Sequence, residues 1–192
     1  MHNGFVTINK EKMSKSLGNI TTIKDATKKY SGQVVRLSLL SAQYKQPLDW
    51  NNDLLIEQSK TLDKWYSMYS SEASEKTPDC FKELLDDMNT PLYISKLHEL
   101  FQQSQSGDGD KKKEFNKACR LIGLFNETIE KRAEHKKSKV NISEDTIQSK
   151  IKDREEAKKA GEYKLADQIR DDLNKEGIDI KDEKGKTAWN YK

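Results

Sequence analysis

Apolar residues recur along most of this chain at the three- and four-residue spacing of a helix face, and they alternate with polar ones only near its two ends. The opening "GFVTI" (residues 4–8) alternates in this way and predicts a short strand. Thr21 or Thr22 can then cap a short helix to about Tyr30, Ser31 and Gly32 break the pattern, and "VVRLSLLSAQ" resumes as a largely buried helix before Pro47. From Asn51 or Asn52 a long helix carries Leu55, Leu62, Trp65, Tyr66 and Tyr69 on one stripe. Beyond the polar "SSEASEKTPD", Phe81, Leu84, Leu85 and Met88 fall at i, i+3, i+4 and i+7 and predict an amphipathic helix. Ile94, Leu97, His98 and Phe101 repeat the spacing, and so do Phe115, Ala118, Cys119 and Ile122 after "SQSGDGD". Stripes of this kind, separated by short connections, predict an antiparallel helical bundle with His98 and both cysteines packed inside it.

The pattern changes at "EKRAEHKKSKVN", a basic and apolar-poor stretch that reads as a linker. Ser143, with Glu144 and Asp145 behind it, opens a further helix, and "YKLADQIRDDLNKEG" forms another that stops on Gly177. Ile178 and Ile180 then alternate with acids, "DEKGK" turns and "TAWNY" returns, which predicts a small terminal β-hairpin with Trp189 on one face. The chain shows no internal repeat.

A length of 192 residues allows one large or two small domains. Hydrophobic residues make up 33% and charged ones 35%, so the core is thin, which favours helices with solvated faces over buried parallel sheet. The 35 Lys and Arg residues against 32 Asp and Glu leave a formal charge of only +3, so any basic surface must come from local clustering. Cys80 and Cys119 form no CxxC and have no histidine at ligand spacing; free buried thiols in a reduced compartment are expected, with no metal site. No apolar run is long enough for a membrane span, and a soluble cytoplasmic protein is expected.

The most informative stretch chemically is "EKMSKSLGN", from Glu11 to Asn19. It sets two ammonium groups at i and i+3 among hydroxyls, with a glycine that lets backbone come close, a make-up suited to a polyphosphate. On composition alone such a cluster is more often a solvated surface turn, and it is not the Walker pattern. The particular string decides more. Lys12, Met13, Ser14, Lys15 and Ser16, continued by Leu17, Gly18 and Asn19, resemble the KMSKS signature of class I aminoacyl-tRNA synthetases. "MHNGFV" before the loop, "VVRLSLLSAQYKQPLDW" after it, "LDDMNTP" (residues 85–91) and the terminal "REEAKKAGEYKLADQIRDDLNKEGIDIKDEKGKTAW" are similar to the corresponding segments of cysteinyl-tRNA synthetases. Departures are few: "GQVVR" is a loose version of the family's acid-containing lead into the arginine, and Lys45 stands where arginine is common.

The resemblance implies a C-terminal part of a longer enzyme: residues 1–48 as the edge of a Rossmann-type catalytic domain, 49–135 as a helical bundle, and 136–192 as a small anticodon-recognition domain. It implies activation of cysteine with ATP to cysteinyl-adenylate and transfer to tRNA(Cys). The "HIGH" motif and zinc ligands belong to the preceding part and are absent from this chain. Lys12 and Lys15 are then the candidate catalytic cations, within an ATP-binding set of Lys12, Met13, Ser14, Lys15 and Ser16. Gly18 and Asn19 are expected to shape the turn and the start of the next helix. Trp189, Asp182 and Lys186 become the candidate tRNA contacts: a stacking face, an acceptor for exocyclic amines and a phosphate-seeking charge. On the residues alone Trp189 reads as core. Asp167 and Arg170 match the family and are expected to pair internally. His135 reads as solvated, His2 as a neighbour of the nucleotide, and Asp86, Asp87 and Asn89 as turn and cap residues. Away from the catalytic domain the loop is expected to be disordered or misplaced, and the chain to be a monomer that binds tRNA without catalysing. Two other readings are a fragment of a cysteine ligase acting on an amino-sugar and a free-standing RNA-binding helical module; the terminal segment argues against the first and the intact lysine loop against the second.

Overall fold

In the computed structural model, residues 2–183 and 186–191 are described, the side chains of Glu183 and Lys186 excepted. The chain divides into two compact units, Met1–Ile129 and Glu130–Lys192. Each has its own hydrophobic cluster.

Unit 1 begins with a three-stranded sheet. Strand β1 (Val6–Ile8) pairs antiparallel with β2 (Glu11–Lys12), and parallel with β3 (Leu48–Asp49), which returns after two helices. The hairpin turn at Asn9 and Lys10 has both residues at positive φ, the backbone that two-residue hairpins demand. Gly4 admits the parallel neighbour: a Cβ there would collide with the Gln46 carbonyl, and the Gly4 amide donates to Tyr44 O at 2.8 Å. Helix α1 (Ile23–Lys29) starts on Thr22, and α2 (Gly32–Leu40) on Ser31, whose hydroxyl accepts from the Val34 amide. The Ser31–Gly32 break is therefore the entry to α2.

Helices α3 (Asn52–Tyr66), α4 (Phe81–Leu85), α5 (Thr90–Ser104) and α6 (Gly109–Leu121) complete unit 1. Trp65, Leu62, Leu37, Tyr93, Leu97 and Phe115 are fully buried where they converge. Phe115 sits 5.8 Å from both Trp65 and Phe125, edge-on in each case. Cys80 and Cys119 are free and buried, and burial raises both thiol pKa values.

Three expectations are corrected here. The helix expected through Met88 stops at Leu85, because Asp87 and Met88 both take positive φ; Leu85 and Met88 are exposed rather than core. The most buried residues of α5 are Tyr93, Leu97, Leu100 and Ser104, with Ile94 and Phe101 half-buried against the same core, so the packed face is centred to one side of the expected stripe. That turns His98 outward: it is exposed, with its ring edge against Trp65 at 5.0 Å, and the contact lowers its pKa by desolvation.

Unit 2 contains most of helix α7 (Ile129–Lys137), then α8 (Glu144–Lys159), α9 (Tyr163–Lys175) and a hairpin of β4 (Ile178–Glu183) with β5 (Lys186–Tyr191). The stretch expected as a linker is α7 for most of its length. Its Glu, Lys, Arg and Ala residues are good helix formers, and Arg132 is buried, so scarcity of apolar residues concealed a packed element. Ile147 and Ile151 of α8, Leu173 of α9 and Ile178 and Ile180 of β4 form the core. No helix among the described residues is long and apolar enough to cross a membrane.

Candidate functional sites

The lysine loop grows directly out of β2. Because β1 and β2 are paired with Thr7 opposite Lys12, the chain leaves the sheet at Met13, whose amide still donates to Val6 O at 3.1 Å. It then folds back on itself. Asn19 closes the turn from both sides: its Oδ1 accepts from the Ser14 amide at 2.9 Å and its Nδ2 donates to Lys12 O at 3.3 Å. Inside the turn Ser14 Oγ accepts from the Leu17 amide and lies 3.1 Å from Ser16 Oγ. The Gly18 amide donates to Lys15 O with Gly18 at φ +65°, a conformation glycine supplies without strain.

The loop is thus a closed turn. Asn19 shapes it, as expected, but does not start the next helix, which waits for Thr22. Lys12, Lys15 and Ser16 are exposed, while Met13 and Ser14 are half-buried. The Lys12 ammonium lies 4.3 Å from the centre of the Phe5 ring. The base of the hairpin is tied down by Asp49, which accepts from the Lys10 amide and the Thr7 hydroxyl, both at 2.7 Å; these bonds lower its pKa. His2 is exposed near the start of the same segment.

The second candidate region lies in unit 2. Trp189 stands across the hairpin from Ile180, half-buried against the small core, with its ring edge-on to Tyr191 at 5.1 Å. Asp182, opposite Thr187, is surrounded by donors. Arg154 Nη1 and Nη2 reach its two oxygens at 2.9 and 3.0 Å, Lys158 Nζ donates at 2.9 Å and Thr187 Oγ1 at 3.1 Å. Each carboxylate oxygen so accepts twice, which fills its lone pairs. The Arg154 guanidinium, followed by Lys158, holds the Asp182 carboxyl far below the usual carboxylate range. Arg154 is buried, whereas the Asp182 and Lys158 side chains stay 47% and 40% exposed. Lys186 is placed only by its backbone, opposite Glu183 in the hairpin; its side chain lies outside the described residues.

Sequence reasoning missed Arg154 and Lys158. A signal was present: Arg154 continues the spacing of Ile147 and Ile151, and an arginine on an apolar stripe requires a buried partner. It also missed Tyr163, an aromatic ring 67% exposed at the start of α9, five residues after Lys158. Asp167 and Arg170 are both exposed on α9 and form no ion pair with each other among the described residues. In unit 1, Asp87 accepts from Lys45, Tyr44 and Gln43, and Asn89 caps α5, in keeping with turn and cap roles.

Comparison with known proteins gives two family matches. Residues 1–61 match the tRNA synthetases class I (C) catalytic domain, and residues 145–189 match the cysteinyl-tRNA ligase anticodon binding domain. Over whole chains, the protein is 45% identical to a cysteine–tRNA ligase of Pelagibacter ubique, with 100% of this chain and 43% of that protein aligned. It is 40% identical to that of Rickettsia bellii and 38% identical to that of Xanthobacter autotrophicus, in each case over 98% of this chain and 43% of the relative. The chain therefore spans about two-fifths of the length of these relatives.

Proposed function

We infer that this chain, a member of the cysteinyl-tRNA ligase family, carries the C-terminal, tRNA-binding portion of a cysteine–tRNA ligase, which joins cysteine to tRNA(Cys) at the expense of ATP. The chain binds the tRNA; cysteine activation needs residues beyond those present here. What supports the reading most directly is the closed lysine turn, which presents two ammonium groups and a hydroxyl to solvent on a strand anchored by Asp49.

ATP fits this turn in kind. Lys12 and Lys15 offer point charges for phosphate oxygens, and Ser14 and Ser16 offer hydroxyls. As cysteinyl-adenylate and pyrophosphate form, charge accumulates on the phosphates, and cations held in a preformed turn stabilise that charge more than they stabilise the ground state. Lys15, at the exposed tip, is the principal cation. Zinc finds no counterpart: among the described residues no three His, Cys, Asp or Glu side chains are grouped to hold a metal ion.

Unit 2 supplies the base-recognising surface. Trp189 is half-buried and Tyr163 is 67% exposed, and their rings are the candidates for stacking on bases. Asp182 is held ionised, and a base amino group reaches it by displacing the exposed Lys158, which then turns to a phosphate. Lys186 remains a candidate phosphate contact. The chain acts as a monomer.

A titration at fixed moderate salt, followed by tryptophan fluorescence, tests this. A tRNA transcript with a GCA anticodon is expected to bind tighter than one with a substituted anticodon, with the difference lost in Trp189→Ala and Tyr163→Ala. Equal, salt-sensitive binding of both transcripts means phosphate contacts only, and removes the anticodon assignment.

A further inference from the structure

We propose that Phe5 is a positioning residue of the lysine loop: its ring holds the Lys12 ammonium in the resting state, and an incoming phosphate takes the ammonium off the ring. The inference rests on the reading of the loop as a phosphate clamp and adds a residue and a resting position to it.

Strand geometry places the two side chains together. Alternate residues of a strand share a face, so Phe5 and Thr7 point the same way, and Lys12, directly opposite Thr7, points with them. Phe5 is then the diagonal neighbour of Lys12, a distance that a long side chain spans, and the ammonium lies 4.3 Å from the ring centre. Phe5 has no other visible duty. It is 62% exposed and lies outside the hydrophobic cluster that includes Val6 and Ile8 on either side of Thr7. Its backbone, by contrast, is fixed: Phe5 O accepts from the Leu48 amide at 3.0 Å, so the ring is carried on the parallel β1–β3 pairing and does not move with the loop.

The backbone of Lys12 is equally fixed, by its pairing with Thr7 and by the Asn19 amide on its carbonyl. Only the four-carbon stem is left to move. An exposed ring attracts an ammonium weakly, whereas a phosphate oxygen forms a charge-assisted hydrogen bond with it. The exchange therefore runs toward phosphate when one is present and back to the ring when it leaves. Lys15, at the tip, meets phosphate first and Lys12 follows.

The test uses the full chain and inorganic pyrophosphate, with the Lys12 Hε protons followed by NMR and assigned by loss of their signal in Lys12→Gln. In the free chain these protons are expected upfield of the other lysines, shifted by the ring, and to move toward the common lysine position as pyrophosphate is added. Phe5→Leu, which keeps the apolar bulk, is expected to abolish the upfield shift and to tighten pyrophosphate binding about two- to five-fold, the worth of an exposed ring contact. Phe5→Tyr restores both the shift and the weaker binding. An unshifted Lys12 in the free chain overturns the proposal, as does unchanged or weaker pyrophosphate binding in Phe5→Leu or the absence of a pyrophosphate response in all variants. Lys15→Gln separates the two readings. If it and Lys12→Gln leave pyrophosphate binding intact, the phosphate clamp itself fails; if they weaken it and Phe5→Leu has no effect, only the role of Phe5 fails.

Discussion

Unit 1 is held by aromatic rings packed edge to face around Phe115, and its lysine loop stands on a sheet edge with none of its lysines in that core. In unit 2 the residues proposed to meet a nucleic acid also hold the fold: Trp189 packs on the small aliphatic core, and Asp182 neutralises the buried Arg154. The difference bears on how a variant is read. In unit 1 stability and the proposed phosphate handling belong to different side chains and can be changed separately. In unit 2 the proposed tRNA binding and the structure rest on the same side chains, so a substitution there is interpretable only when both are measured.

The largest expected effect tests whether the two cores are separate. Trp65→Ala empties a fully buried site and is expected to cost unit 1 about 3–5 kcal/mol, measured by urea denaturation. Amide protection in unit 2 should be unchanged; loss of it there would show that the cores unfold together.

A smaller effect sharpens the contrast. Asp182→Asn leaves Arg154 buried without its carboxylate, a loss of about 3–5 kcal/mol for a fully buried pair that solvent at the half-exposed Asp182 reduces to roughly 1–2 kcal/mol. Its pH dependence has a definite sign. The folded carboxyl pKa is lowered, so its contribution is complete above the unfolded value near ~4 and is lost as pH falls from there toward the lowered one. The gap in thermal midpoint between wild type and Asp182→Asn is expected to be widest at neutral pH and to narrow below pH ~4. A gap independent of pH would remove the ion pair from the account.

The smallest effect completes the comparison. Lys12→Gln and Lys15→Gln are exposed changes outside the core and should shift stability by less than about 0.5 kcal/mol, while abolishing whatever the loop contributes to phosphate binding. A larger loss of stability would place these lysines in the fold after all.

Much of this was legible in the sequence because its signals are local. The caps at Thr22, Asn51 and Ser143, the stop at Gly177, and the terminal hairpin each follow from a few neighbouring residues. What escaped depends on partners far along the chain. The early end of α4 follows from positive φ at Asp87, whose carboxylate is gripped by Tyr44 and Lys45. Two residues of β3 carry no alternation of their own and become a strand only beside β1. The rings placed around His98 and Lys12 likewise come from other elements. At the sites, the lysine turn was visible as a string, but its closure by Asn19 and the donors saturating Asp182 required coordinates.

The parallel contact of β1 with β3 joins Thr7 to Leu48, 41 positions apart, with α1 and α2 between them. Closing so long a loop has an entropic cost that local helices and the β1–β2 hairpin do not bear, so this pairing is expected to form late in folding. During synthesis the lysine turn can be made early, yet Asp49 and the Leu48 amide that steady its base arrive only after about thirty further residues have emerged, roughly 1.5–6 seconds at common elongation rates. Through that interval the turn exists as a shape without a foundation, and nascent chains offer it to solvent before the sheet beneath it has closed.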